Sequence, residues 1–142
     1  MTMKFPVSKI EPVQAKLEMG ALDKPALEVS FKRFEIPMQN SAGAHALLFD
    51  APLSANFISL PCVDLGVLQT QSFGYPVNPA EGYIDASVYF EDVHNPVDIT
   101  NLEFGPLVDG RLKLTVVSRW LMSYEGTAFD DFDLVFSVSL GD

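Results

Sequence analysis

Between Arg111 and Tyr124 the chain reads RLKLTVVSRWLMSY, with Leu112, Leu114, Val116, Ser118, Trp120, Met122 and Tyr124 at the even positions. Six of those seven are apolar, against two of the seven odd ones. Side chains of extended backbone alternate between two faces, so this period of two specifies a strand with one buried and one wetted face. The same rhythm recurs. FDLVFSVSL puts Phe132, Leu134, Phe136, Val138 and Leu140 on one face, opposite Asp133, Ser137 and Ser139. YIDASVYFED groups Ile84, Ala86, Val88 and Phe90 opposite Asp85, Ser87 and Glu91.

The connectors extend this pattern into a topology. Pro96 has no N–H to give a ladder, so His94-Asn95-Pro96 reads as the reversal between a strand over 83–93 and VDITNLEF. Asp109-Gly110 is a hairpin dipeptide because glycine tolerates positive φ, and EGTAFDD supplies the next turn. Four strands joined this way predict an antiparallel meander over roughly 83–140. A strand over 111–124 is unusually long, and Val117 and Leu121 break its polar face, so a bulge or bend is expected near Val117–Ser118.

Earlier in the chain the alternation is shorter. VQAKLEM aligns Val13, Ala15, Leu17 and Met19, with GALDKP as the following turn. Its composition also suits a helix over 10–19, which is the competing assignment. ALEVSFKRFEI aligns Leu27, Val29 and Phe31, then slips to Phe34 and Ile36, which predicts a second bulge at Lys32–Arg33. The stretch from Pro37 to Pro79 holds Pro37, Pro52, Pro61, Pro76 and Pro79 between short apolar pieces. It reads as short strands, or one turn of helix around Ala42–Leu48. The expected fold is all-β: a single-domain antiparallel β-sandwich over 1–142, with about seven to nine strands and a C-terminal four-strand meander. A chain of this length buries about 70% of its extended surface, and 48% of the residues are apolar, enough for a core.

Charge narrows the function classes. The formal net charge is −10, and from Phe34 to Gly110 there is no Lys or Arg, while ten acids fall in the same window. Such a surface repels nucleic-acid phosphates and anionic lipid, and attracts a basic protein or a divalent cation. No apolar run reaches the roughly 20 residues of a membrane-spanning helix. The opening MTMKFPVSKIEP lacks the apolar core of a signal peptide. A single cysteine, Cys62, rules out an intrachain disulfide, and a cytoplasmic location is expected.

The densest polar cluster is YFEDVHNPVDI, which holds Glu91, Asp92, His94, Asn95 and Asp98. A transition-metal site needs at least three converging ligands, and this segment has one histidine; the other, His45, lies 49 residues away. The cluster therefore reads as a charged hairpin corner. Glu125, Asp130, Asp131 and Asp133 form a second acidic group without EF-hand spacing; if calcium bound, Asp130 and Asp131 would combine with Asp92 and Asp98. Cys62 has no neighbouring base to activate it, and no nucleophile-elbow or phosphate-loop motif occurs. No catalytic residue is assigned and no cofactor is implied; the metal ligands stay open.

The reading that follows is a non-catalytic acidic interaction protein, of the inhibitor or immunity-protein kind, binding a basic protein partner. Its expected contact residues are Glu81, Asp85, Glu91, Asp92, Asp98 and Glu103. Two alternatives stand beside it. One is a structural module that homo-oligomerises through exposed strand edges, with HALLFDAPL and FGYPVNP as contact patches. The other is a metal-dependent enzyme or calcium module using the 91–98 and 130–133 loops.

Overall fold

The computed structural model describes residues 3–40 and 43–141, and it is all-β. Ten strands follow in chain order: β1 (Pro12–Met19), β2 (Pro25–Phe31), β3 (Phe34–Asn40), β4 (Gly43–Phe49), β5 (Leu53–Asn56), β6 (Ser72–Gly74), β7 (Asp85–Phe90), β8 (Val93–Phe104), β9 (Arg111–Trp120) and β10 (Phe132–Gly141). One short helix, α1 (Leu65–Leu68), lies between β5 and β6, and the Asp64 carboxylate caps it by accepting from the Gly66 N–H at 2.8 Å.

Seven of the strands close on themselves. The hydrogen-bonded order runs β8-β7-β5-β2-β1-β10-β9 and returns to β8, with β6 laid along the far half of β8. The two-layer sandwich expected from the sequence is thus not confirmed, and the strands form a barrel. Every neighbouring pair is antiparallel except β1 with β10. An odd number of strands cannot alternate direction all the way round a ring, so one parallel contact is unavoidable, and it falls where the first strand meets the last. β3 and β4 stand outside the ring as a two-stranded sheet of their own.

The meander of β7, β8, β9 and β10 is present, in sequential order. Its first corner is not where Pro96 suggested. Phe90 pairs with Val93, and the two-residue turn is Glu91-Asp92, both at positive φ (54° and 61°). His94, Asn95 and Pro96 lie inside β8. Pro96 is tolerated because its carbonyl, and hence its nitrogen, faces β9 beyond the last paired residue, Trp120, where Leu121 donates to it at 2.9 Å. The Asp109-Gly110 turn is found as expected, with φ of 53° and 77°.

The irregularity expected near Val117–Ser118 sits on the facing strand. β9 runs in unbroken register with β10, while β8 shifts between Ile99 and Asn101, opposite Ser118 and Val117. β9 itself ends at Trp120, so Met122 is reached by a turn and buried from there. The phase slip at Lys32–Arg33 is not a bulge but the corner where the chain leaves the barrel for the β3–β4 hairpin. The segment over 10–19 is not a helix: Pro12–Met19 is the strand β1. Of 42–48, the described residues are strand; Ala42 lies outside the described residues.

Inward residues fill the barrel. Val29, Leu53, Val88, Ile99, Leu114, Val116 and Leu140 are almost wholly buried. One end is closed by aromatic rings gathered around Phe5, which lies 5.2 Å from both Phe129 and Phe132 and also meets Phe34, Phe49, Phe90 and Trp120. The segment carrying Phe5 is tied down by a parallel bridge from Met3 to Phe129. Trp120 is fully buried, and its indole N–H donates to Ser118 Oγ at 3.1 Å. The opposite end is covered by Leu65 and Leu68 of α1, near the Phe73–Phe104 pair.

Candidate functional site

Outward-facing side chains of β7 and β8 build a polar, acid-lined cleft on the barrel wall. Asp85 and Ser87 come from β7, and His94, Pro96 and Asp98 from β8, because the antiparallel register aligns Ser87 with Pro96 and Tyr89 with His94. Asn78 and Tyr83 from the preceding loop and Glu125 from the β9–β10 loop complete a cavity of about 230 Å³. Glu125 reaches it because β9 pairs along β8 and ends beside Val97. Three carboxylates and one imidazole line the cleft, and no Lys or Arg does.

Asp98 is the most constrained of the three. Burial in the cleft pushes its carboxyl above the ordinary value, while the Asn78 backbone amide and the charge on Arg119 oppose the shift. Arg119 is the register partner of Asp98 on one side and of Asp133 on the other. Its guanidinium is committed to Asp133, with Nη1 2.9 Å from Oδ1. Asp98 is left with the weaker share of that cation.

A second concavity lies at the aromatic end. Leu47, Leu48, Tyr89 and Phe90 form its apolar part, and Asp50, Glu91 and Asp92 rim it, enclosing about 390 Å³. Glu91 and Asp92 are presented by the tight turn. That turn is held from inside by Asn95, whose buried amide donates to the carbonyls of Val88, Phe90 and Val93 at 3.2–3.4 Å.

The six expected contact residues therefore do not converge. Asp85 and Asp98 share the wall cleft, and Glu91 and Asp92 share the end groove. Glu81 is exposed in the loop before β7 and lines neither. Glu103 faces outward farther along β8, between Ser72 of β6 and Thr115 of β9, about 17 Å from Asp98 at strand rise. Sequence reasoning noted Glu125 only with the C-terminal acids; its place beside Asp85 follows from long-range pairing that local periodicity does not carry.

The arrangement gives little for catalysis to use. Ser87 Oγ and His94 Nδ1 are 3.5 Å apart, at the limit of a hydrogen bond, and the ring packs edge-on against Tyr89. Among the described residues no hydrogen bond joins a carboxylate to that imidazole, so base and orienting group are not assembled. His45 sits on the β3–β4 hairpin, away from the cleft that holds His94. Among the described residues, no group of three or more His, Cys, Asp or Glu side chains is placed to hold a metal ion. The C-terminal acids have structural work: Asp131 accepts from both the N–H and the hydroxyl of Ser123 at 2.8 Å, and Asp133 holds Arg119.

The aromatics of the 73–84 region also separate. Tyr75 is half-buried, donates to the Ser59 carbonyl at 3.0 Å, and is pushed by burial up to about 12. Tyr83 lines the cleft. No helix among the described residues is long and apolar enough to cross a membrane. No family model matches the chain, and neither a curated protein nor a solved structure matches it.

Proposed function

We propose that the chain is a non-catalytic interaction protein whose acidic wall cleft receives cationic side chains of a basic protein partner. The observation that carries this reading is the joining of Asp85, Asp98 and Glu125 in one concavity that no Lys or Arg lines, the one neighbouring guanidinium, Arg119, being held by Asp133. A guanidinium or ammonium entering the cleft relieves the cost of keeping Asp98 charged while partly desolvated, so binding and ionisation of Asp98 reinforce one another. Glu91, Asp92, Glu81 and Glu103 spread the negative field around it and speed encounter. The same reading places the chain in the cytoplasm, where a lone thiol such as Cys62 stays reduced, and requires no cofactor.

The test is binding of an arginine-rich peptide, followed by fluorescence anisotropy. The triple variant Asp85→Asn, Asp98→Asn, Glu125→Gln loses about tenfold or more in affinity, about 1.4 kcal/mol. The control Glu18→Gln, Asp23→Asn, Glu28→Gln removes the same formal charge elsewhere and keeps most of the affinity. Equal losses in the two variants would show a diffuse charge effect and overturn the cleft.

A further inference from the structure

The two edges of the β3–β4 sheet are not equivalent. Lys9 Nζ donates to the Glu35 carbonyl at 3.0 Å, so the backbone of Glu35 points away from β4. Antiparallel pairs alternate between bonded and non-bonded positions, which makes Pro37 and Gln39 the next outward residues of β3. That edge is blunted twice: a lysine covers one position, and proline has no N–H at the next. On β4 the register partners of those residues are Leu48, Ala46 and Ala44, so their N–H and C=O groups form the opposite edge. It carries no proline, no charged side chain and no register shift, and among the described residues β4 pairs with β3 alone. Leu48, half exposed at 49%, stands at its base.

We propose that this edge of β4 docks a second copy of the chain, the two β4 strands pairing antiparallel about Ala46. Charge selects the occupant. From Pro37 to Phe49 the sequence has no Asp, Glu, Lys or Arg, in a chain of formal net charge −10. A basic partner is drawn to the acidic faces and finds no ionic group on β4 itself. A second copy, repelled by those faces, meets no like charge from Gly43 to Phe49; the carboxylates of Asp50, Glu91 and Asp92 gather beyond its Leu48 end. Pairing centred on Ala46 sets Ala44 against Leu48, Gly43 against Phe49 and His45 against Leu47, small or apolar groups throughout, and joins two hairpins into one four-stranded sheet.

This inference is independent of the cleft, and salt separates the two: added salt tightens association of like-charged copies but weakens binding of a cationic peptide. Sedimentation of the whole chain up to about 1 mM should show a monomer–dimer equilibrium. Because Ala46 meets itself across the two-fold axis, Ala46→Lys and Ala46→Glu each raise the dissociation constant about tenfold or more, while an equimolar mixture of the two variants restores a dimer. Hydrogen exchange gives a second readout: the Ala44, Ala46 and Leu48 amides are slowed in the wild-type dimer and fast in Ala46→Lys. A wild-type monomer throughout, a dimer indifferent to both substitutions, or two disrupted variants whose mixture stays monomeric would each overturn the proposal. So would edge amides slowed only when an unrelated extended peptide is added.

Discussion

At the scale of single residues, the turn between β7 and β8 departs most from ordinary preference. Glu91 and Asp92 both hold positive φ, a region that costs an L-residue about 1–2 kcal/mol, and Asn-Gly is the usual occupant. Asn95 holds the turn from below with its three-carbonyl clasp, while its own Oδ1, fully buried, has no hydrogen-bond partner among the described residues. Replacing Glu91-Asp92 by Asn-Gly should raise stability by about 0.5–1 kcal/mol, read in urea as a higher midpoint at unchanged slope. No gain would mean that the turn is unstrained. Asp98 gives a pH signature. Its folded value lies above the unfolded one, so the advantage of its protonated form is fully present below the unfolded value and is lost as pH rises through the folded one. Asp98→Asn should therefore melt higher than wild type at neutral pH, with the gap closing as the solution is acidified. A gap that widened in acid would reverse the assignment. These residues also show why the corner was misread: Pro96 announces a break, Glu-Asp announces nothing, and only pairing with β9 reveals that the proline's nitrogen points to the end of that ladder, past Trp120, and not into the β7 pairing.

At the scale of elements, legibility followed exposure. β9 and β10 each have one buried face, so their alternation was read correctly; the bulge expected in β9 at Val117–Ser118 is absent, and the register shift lies on β8 instead. The β3–β4 hairpin was read only as short strands, with a helical turn around 42–48 left as the alternative, for the opposite reason. Ala44, His45 and Ala46 are exposed, so no alternation of burial marks that end of β4 as a strand. The N-terminal segment was equally silent, because Phe5 acts through tertiary contacts rather than periodicity. Phe5→Ala should cost about 3–5 kcal/mol, since the ring touches six aromatic neighbours at a barrel end that cannot readily collapse. Chemical denaturation checks this, and a loss below about 1 kcal/mol would show that the segment is dispensable.

At the scale of the whole molecule, the strand inventory was readable but the closure was not. Alternation says which face of a strand is buried; it does not distinguish two stacked sheets from one sheet rolled on itself, since both have one dry face. The acidic cleft inherits the same limit. Asp85 and Asp98 were linked by a local hairpin, whereas Glu125 arrives through a partner strand. Closure turns on the contact between β1 and β10, where Ala15 faces Leu140 across nearly the whole length of the chain. During synthesis, the first strand must wait for the last to clear the ribosome. Until then its flank stays open to whatever nascent or neighbouring polypeptide is at hand, so a stalled or truncated product lacking the final strand is the form that chaperones and proteases will meet.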